Sequence, residues 1–497
     1  MKKILFLAAI GTMLLSGCDL DINEDPNYPA SSEVTTDLVF PAVENAIADA
    51  SGDQMFNYAG FFAQYFDQMP EANQYNDVAE LHLDEKSDLF VRCYRSLYAG
   101  ALADIADILK RTENTSDIYA CTVMRALTYQ LLVDNMSDAP YSEALMGSAN
   151  AKPKWDDGQT IYEGVLKELD EAESKLTGEI MTLTDPMLNK NMNQWRGFAN
   201  ALRLRMYMRL IDGNVDASGY TAKVKKLVAD NNFFKGDVAW DVFSNAEGQY
   251  NPWYQSKFRL GTANHCAALP LVSYYKITSD PRISFALAKA SKSKEYVGQI
   301  PGSKTTMKEW QKGTAWKNED VSAINYTPAI SMPIFLFTQS ELLFLKAEVE
   351  LRFNNNAAAA KADYDAAVKN DFTWRGAEGV DKFLAGNAVN FDAQPTTADK
   401  LKLIYMQKWV ALFYRDHMEA WSEARRTDTP ALSSKSAKDI FTDSSVYTPG
   451  EFVEPAVDYI VAGGLAKRVP YPSTARQLNE NTPPIKLLSD KVFWDAK

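Results

Sequence analysis

The sequence predicts a mainly α-helical protein, one composite body carrying a single loop-rich insertion. Three observations lead there. In residues 403–430, Leu403, Met406, Val410, Phe413, His417, Ala420 and Ala424 recur at steps of three and four, the spacing of one helix face. Similar periodicity recurs through most of residues 36–230 and 339–430. Between 231 and 330 that period fades, while Gly, Pro, Asn and aromatic residues rise. No long Pro/Gly/Ser linker divides the chain, so the parts should pack as one body.

The amino terminus decides the compartment. Lys2 and Lys3 precede an apolar run from Ile4 to Leu15, too short for a permanent membrane span and suited to a secretory signal. Leu15-Ser16-Gly17-Cys18 then reads as a lipobox, so residues 1–17 form a lipoprotein signal peptide and Cys18 is the expected lipidation site. Several acyl chains on Cys18 would make a stable anchor. Residues 18–35 are acidic and contain Pro, as a solvated tether would. Asp19, Asp21 and Asn23 mimic the start of a calcium loop, but Glu24 stands where that loop needs Gly, and Ala30 where it needs Glu, so no calcium site is expected.

Charge and motifs narrow the function. The formal charge is −13, and cleavage after Gly17 removes Lys2 and Lys3 but no acid, making it more negative still. Nucleic acid and anionic lipid surfaces are therefore poor partners. Hydrophobic residues at 46% suffice for a large core. Cys93, Cys121 and Cys266 lack metal or redox spacing, and Cys93 and Cys121, on predicted helices, should be buried small hydrophobes. His265 beside Cys266 has no orienting partner, and adjacent residues rarely face each other, so no nucleophile–base pair is expected. The three histidines make no zinc set, and no phosphate-binding or dinucleotide motif occurs. No catalytic residue, metal or cofactor is assigned.

In chain order, residues 36–64 read as one helix with Pro41 in its first turn. A polar and aromatic loop follows at 65–77. Ser87 or Asp88 should cap a helix to about Lys110, and Ser116 another to about Met136. Ile161, Val165, Leu169 and Ala172 mark a third helix face, and residues 195–210 a fourth helix. Its Arg203, Arg205 and Arg209 should form internal ion pairs, with Asp212 at hand. Residues 36–230 thus make an amino-terminal helical region, 231–330 the insertion, and 331–497 helical repeats with a closing segment. Ala347, Ala360, Tyr364 and Ala367 carry a degenerate tetratricopeptide spacing. Residues 403–430 read as one long helix buried on several sides, ended by Thr427 and Pro430. Gln407, Lys408, Arg415, Glu419, Glu423, Arg425 and Arg426 are its polar complement.

Several ordered blocks also resemble one family. They are the Asn23…Asp25-Pro26-Asn27…Pro29 leader, Arg125-Ala126 through Pro140-Tyr141-Ser142-Glu143-Ala144, and the Trp195…Phe198-Ala199-Asn200…Arg209 helix. Asp280-Pro281-Arg282, the helix at 340–353, Gln407-Lys408-Trp409 through Arg425-Arg426-Thr427, and Arg468…Pro470-Tyr471-Pro472…Asn479 follow in order. Together they resemble the SusD/RagB family, in its SusD-like branch, with Ser137 and Ala475 departing from its usual Gly and Glu. The resemblance implies four tetratricopeptide-like helix pairs as a frame, and a lipid-anchored outer-membrane protein facing the cell exterior. It also implies a SusC-like TonB-dependent transporter as partner, for which this chain would be the lid, and an oligosaccharide or peptide as ligand. No chemistry on the ligand is implied.

Sugar rings stack their C–H faces on aromatic rings and need polar side chains at the rim. The loop residues Trp253, Tyr254, Trp310 and Trp316, with Tyr75 from the early loop, are the candidate platform. Gln68, Asn73, Asn251 and Arg259 are the polar candidates. A glycan is the first expectation and a peptide the second. A helical-repeat adaptor that binds only protein is the third.

Overall fold

The computed structural model describes residues 34–83, 87–259, 261, 264–457 and 464–495. Cys18 and the tether up to residue 33 lie outside the described residues. The protein is mainly helical, as the periodicity predicts. Helices α1 (Thr36–Gly52) and α2 (Gln54–Phe62) lead to strand β1 (Phe66–Gln68). Val91–Arg95, Ser96–Leu102 and Ala103–Arg111 run on as α3, with a π-helical middle segment. Then come α4 (Thr115–Met136), α5 (Gly158–Ser174), α6 (Met192–Asp212) and α7 (Ala217–Asp230).

The insertion holds short elements: β2 (Val238–Trp240), α8 (Pro252–Lys257), β3 (His265–Ala267) and α9 (Leu269–Ile277). Strand β4 (Ile334–Phe337) returns to the frame. Helices α10 (Gln339–Arg352), α11 (Ala357–Arg375), α12 (Thr397–Leu412) and α13 (His417–Thr427) follow. Sequential helices pack as antiparallel pairs, α4 on α5, α6 on α7, α10 on α11 and α12 on α13. Two small antiparallel ladders, β1 with β3 and β2 with β4, tie the insertion to this frame.

Four expected helices differ. Residues 36–64 form two helices that break at Asp53, not one. The helix expected from Ser87 or Asp88 starts at Val91 without a side-chain cap, and α4 is capped by Asn114 in place of Ser116. Residues 403–430 also form two helices, reversing at 413–416. Both present apolar residues to the same core, so the spacing continues across the turn. The sign of the break was Asp416, whose carboxylate accepts Glu419 N–H at 2.9 Å and starts α13.

At that turn Tyr414 sits at φ 69°, unusual for a bulky side chain. Its surroundings fix it there. Tyr414 N–H donates to His417 Nε2 at 3.1 Å, and Tyr414 Oη donates to Asn325 O at 2.6 Å. His417 therefore carries its proton on Nδ1, facing Phe56 O at 2.9 Å. Burial holds His417 neutral by pushing its pKa down to about 3.

The polar complement of 403–430 is buried. Arg426 spans α13, α10 and α6, reaching Glu423 at 2.6 Å, Glu348 at 2.7 Å and Asp212 at 2.5 Å. Lys408 joins Glu423 at 2.8 Å, and Arg352 joins Asp212 and Glu348, each at 2.6 Å. Burial alone would raise Glu348, but Arg426 and Arg352 outweigh it and hold its pKa down to about 2. Arg205 and Arg209 form the expected internal pairs, with Glu341 at 2.7 Å and Asp134 at 2.6 Å, and both reach Glu419. Arg203 pairs with Asp170 and Glu173, while Asp212 serves Arg352 and Arg426. Arg282 is fully buried between Asp280 and Asp371.

Arg426→Ala would leave three carboxylates around one missing cation. Urea unfolding at pH 7 should show a loss of about 3–5 kcal/mol; a loss below about 1 kcal/mol would mean that the network is not what joins these helices.

Candidate ligand-binding cleft

Two loop regions meet through the β1–β3 ladder, which pairs Phe66 with Ala267, Asp67 with Cys266 and Gln68 with His265. Beyond it, residues 288–297 lie alongside 316–323, through Ala288 N–H to Ala323 O at 2.9 Å, Lys292 N–H to Glu319 O at 3.1 Å and Ser322 N–H to Val297 O at 2.9 Å. Between these segments and the early loop lies a cleft of about 630 Å³. Its apolar lining is Met69, Ala288, Val321 and Ala323. Its polar lining is Glu71, Lys289, Ser291, Lys317, Asn318 and Glu319. The size and the mixed lining suit a ligand of several rings.

Glu71 and Asn318 close one end reciprocally. Glu71 N–H donates to Asn318 Oδ1, and Asn318 N–H donates to Glu71 Oε2, each at 3.0 Å. Trp316 packs half-buried beside the cleft against Met69, Ala72, Cys266 and Val321. Its indole N–H donates to the Gln311 side-chain oxygen, and the Gln311 amide nitrogen donates to Thr314 O at 2.9 Å, which sets the ring. Lys289 Nζ lies 5.5 Å from the centre of the half-buried Tyr296 ring.

Beneath the loops, Gln299 Nε2 donates to Asp67 Oδ2 at 2.7 Å and to Gln68 O at 2.8 Å. Gln68 in turn donates to Asn264 O at 3.1 Å and accepts from Tyr75 N–H at 2.5 Å. Burial pushes Asp67 up to about 7, against the lowering pull of Gln299.

The candidate residues divide sharply. Trp316 packs against the cluster of Met69 and Val321 behind the cleft without being among its lining residues, and Asn73 is exposed on the early loop, where it accepts from Lys304. Tyr75 is half-buried between Phe61 and His265. Trp253 does not form a platform: it is fully buried among Phe56, Phe66, Phe258 and His417, and its indole N–H donates to Asn57 Oδ1 at 3.1 Å. It is a plug that fastens α8 to α2. Gln68 and Asn251 are corrected likewise: Gln68 is spent on backbone partners, and Asn251 caps α8 while donating to Met332 O at 2.7 Å. Trp310 packs on Phe441, Tyr254 lies near Tyr250 and Phe258, and Arg259 pairs with Glu247. None of these three lines the cleft.

Glu71, Lys289, Ser291, Lys317, Asn318 and Glu319 were not foreseen. They are ordinary polar loop residues, and only the pairing of distant loops assembles them. Cys93, Cys121 and Cys266 are buried free thiols. Cys266 Sγ faces the carbonyls of Asp67 and Gln68, while His265 Nε2 faces Asn57, so these adjacent residues point to different partners.

A family model described as "Starch-binding associating with outer membrane" (SusD-like) matches residues 27–448. The chain belongs to the SusD-like family, whose members are nutrient-binding proteins associated with the outer membrane. A chitin-binding SusD homologue from Flavobacterium johnsoniae superimposes with a TM-score of 0.72 at 21% identity, covering 93% of this chain and 98% of its own. A SusD homologue from Bacteroides uniformis ATCC 8492 gives 0.72 at 20% identity, covering 92% and 99%. One from Bacteroides fragilis NCTC 9343 gives 0.71 at 18%, covering 94% and 100%. At such identities these structures share the fold with this chain. No curated protein matches its sequence.

Asp67 generates a pH prediction. Its folded pKa is raised, so the stability it contributes is complete below the usual carboxylate range near 4 and is lost as pH rises to about 7. Asp67→Asn should therefore gain on the parent protein by a few kcal/mol between pH 4.5 and pH 8 in thermal melts. A difference that does not change with pH would contradict this.

Proposed function

We propose that this chain is a cell-surface lipoprotein that captures an oligosaccharide and acts as the lid of a SusC-like TonB-dependent transporter. The observation that carries the ligand assignment is the cleft itself: about 630 Å³, lined by both apolar and hydrogen-bonding groups, with the Trp316 ring beside it. An indole ring offers a flat apolar face to sugar C–H groups, and Asn318, Ser291 and Glu319 offer partners for hydroxyls. Family membership supports binding in place of catalysis. The lipobox ending at Cys18 supports anchoring by acyl chains, and no helix among the described residues is long and apolar enough to cross a membrane. The chitin-binding relative supports a glycan over a peptide as the first ligand class to test.

The test is a binding screen of the purified protein against polysaccharides, oligosaccharides and peptides, by calorimetry and by retarded migration in gels. Trp316→Ala should weaken glycan binding at least tenfold with the melting temperature nearly unchanged. Trp253→Ala should do the reverse, costing about 3–5 kcal/mol of stability while the folded fraction still binds. If Trp316→Ala binds as the parent does, the cleft assignment fails; if only a transporter barrel is captured and no ligand, the protein is an adaptor.

A further inference from the structure

The chain is strongly acidic, with 65 Asp and Glu against 52 Lys and Arg, yet residues 288–323 hold seven lysines against four acids, Glu295, Glu309, Glu319 and Asp320. These lysines are Lys289, Lys292, Lys294, Lys304, Lys308, Lys312 and Lys317. Lys289 and Lys317 line the cleft, and Lys292 and Lys294 lie on the 288–297 segment beside it. The backbone bonds set 288–297 beside 319–323, with Lys292 N–H on Glu319 O, and Lys289 and Lys317 meet in the lining of the one cleft.

The pairing of the charges is lopsided. Lys292 is taken by Asp320 at 2.6 Å. Lys289 and Lys317, both exposed and both lining the cleft, have no carboxylate at ion-pairing distance among the described residues. Two acids, Glu71 and Glu319, also line the cleft, and Glu71 keeps its charge while accepting Asn318 N–H, so the lining carries two charges of each sign and the excess of cations comes from the lysines around it. The tyrosine ring under Lys289 holds its ammonium without neutralising it. A protein of this net charge repels polyanions at long range, so cations concentrated at one cleft have a local task.

Resting on the cleft reading above, we infer that the ligand is an anionic polysaccharide, whose carboxylate or sulfate groups meet Lys289 and Lys317 while its sugar faces lie along the apolar lining. Lysine ammoniums suit this as point charges that meet either acid group without a fixed geometry. Neutral glycans would use the same lining but make no ion pair with either ammonium.

The experiment uses the full chain, purified in detergent, with polygalacturonate as the carboxylated probe, dextran sulfate as the sulfated probe, and dextran and chitin oligosaccharides as neutral probes. At least one anionic probe should bind at least tenfold more tightly than either neutral one at 50 mM salt. That binding should weaken at least tenfold at 500 mM salt. Lys289→Gln with Lys317→Gln should remove the preference, while Lys225→Gln on α7 should keep it. Retention by polygalacturonate alone assigns a uronic acid, by dextran sulfate alone a sulfate ester, and by both a requirement for charge only. Tight binding of a neutral probe that both lysine changes leave intact would overturn the inference and keep the cleft reading. Failure of every polysaccharide would overturn both.

Discussion

The buried guanidinium of Arg426 is the contact on which much of the frame depends. A charge sealed in the interior is tolerated only with compensating partners. Here those partners, Glu423, Glu348 and Asp212, come from three helices, α13, α10 and α6. Arg205 and Arg209 on α6 do the same with Glu341, Asp134 and Glu419 from α10, α4 and α13. Hydrophobic packing would let paired helices slide; directional ion pairs fix one arrangement. Arg282 applies the rule to the insertion, since its Asp280 and Asp371 partners join the segment after α9 to α11.

That rigid frame explains why loops can carry the binding surface. β1–β3 is only three residues long on each strand, and the cleft loops are joined by scattered backbone bonds, such as Ala288 to Ala323 and Lys292 to Glu319, together with side chains, Gln299 on Asp67 and Glu71 with Asn318. These are single hydrogen bonds, each contributing about 1 kcal/mol. The loops are therefore positioned by the frame and fastened to one another lightly, an arrangement that leaves the lining residues free to vary while the fold remains.

The frame was largely legible in the sequence, and the cleft was not. Helix periodicity located the frame because each helix buries a face. It failed at 413–416, where two helices bury the same side and the apolar spacing runs through the turn, and at Asp53, for a similar reason. In the loops, an aromatic residue that plugs the core and one that meets a ligand have the same composition. Trp253 and Trp316 look alike in sequence; only packing separates the first, fully buried on Asn57, from the second, half-buried beside the cleft. Lys289, Asn318 and Glu71 lie far apart along the chain, and nothing local to each announces that they share a site.

Amide hydrogen exchange with and without a bound polysaccharide tests the central claim most directly, because it reports where the ligand sits without altering a residue. The account predicts added protection in residues 69–72, 288–296 and 316–323, with none in Pro252–Lys257. Protection confined to Pro252–Lys257, or to the α12–α13 side of the frame, would contradict it.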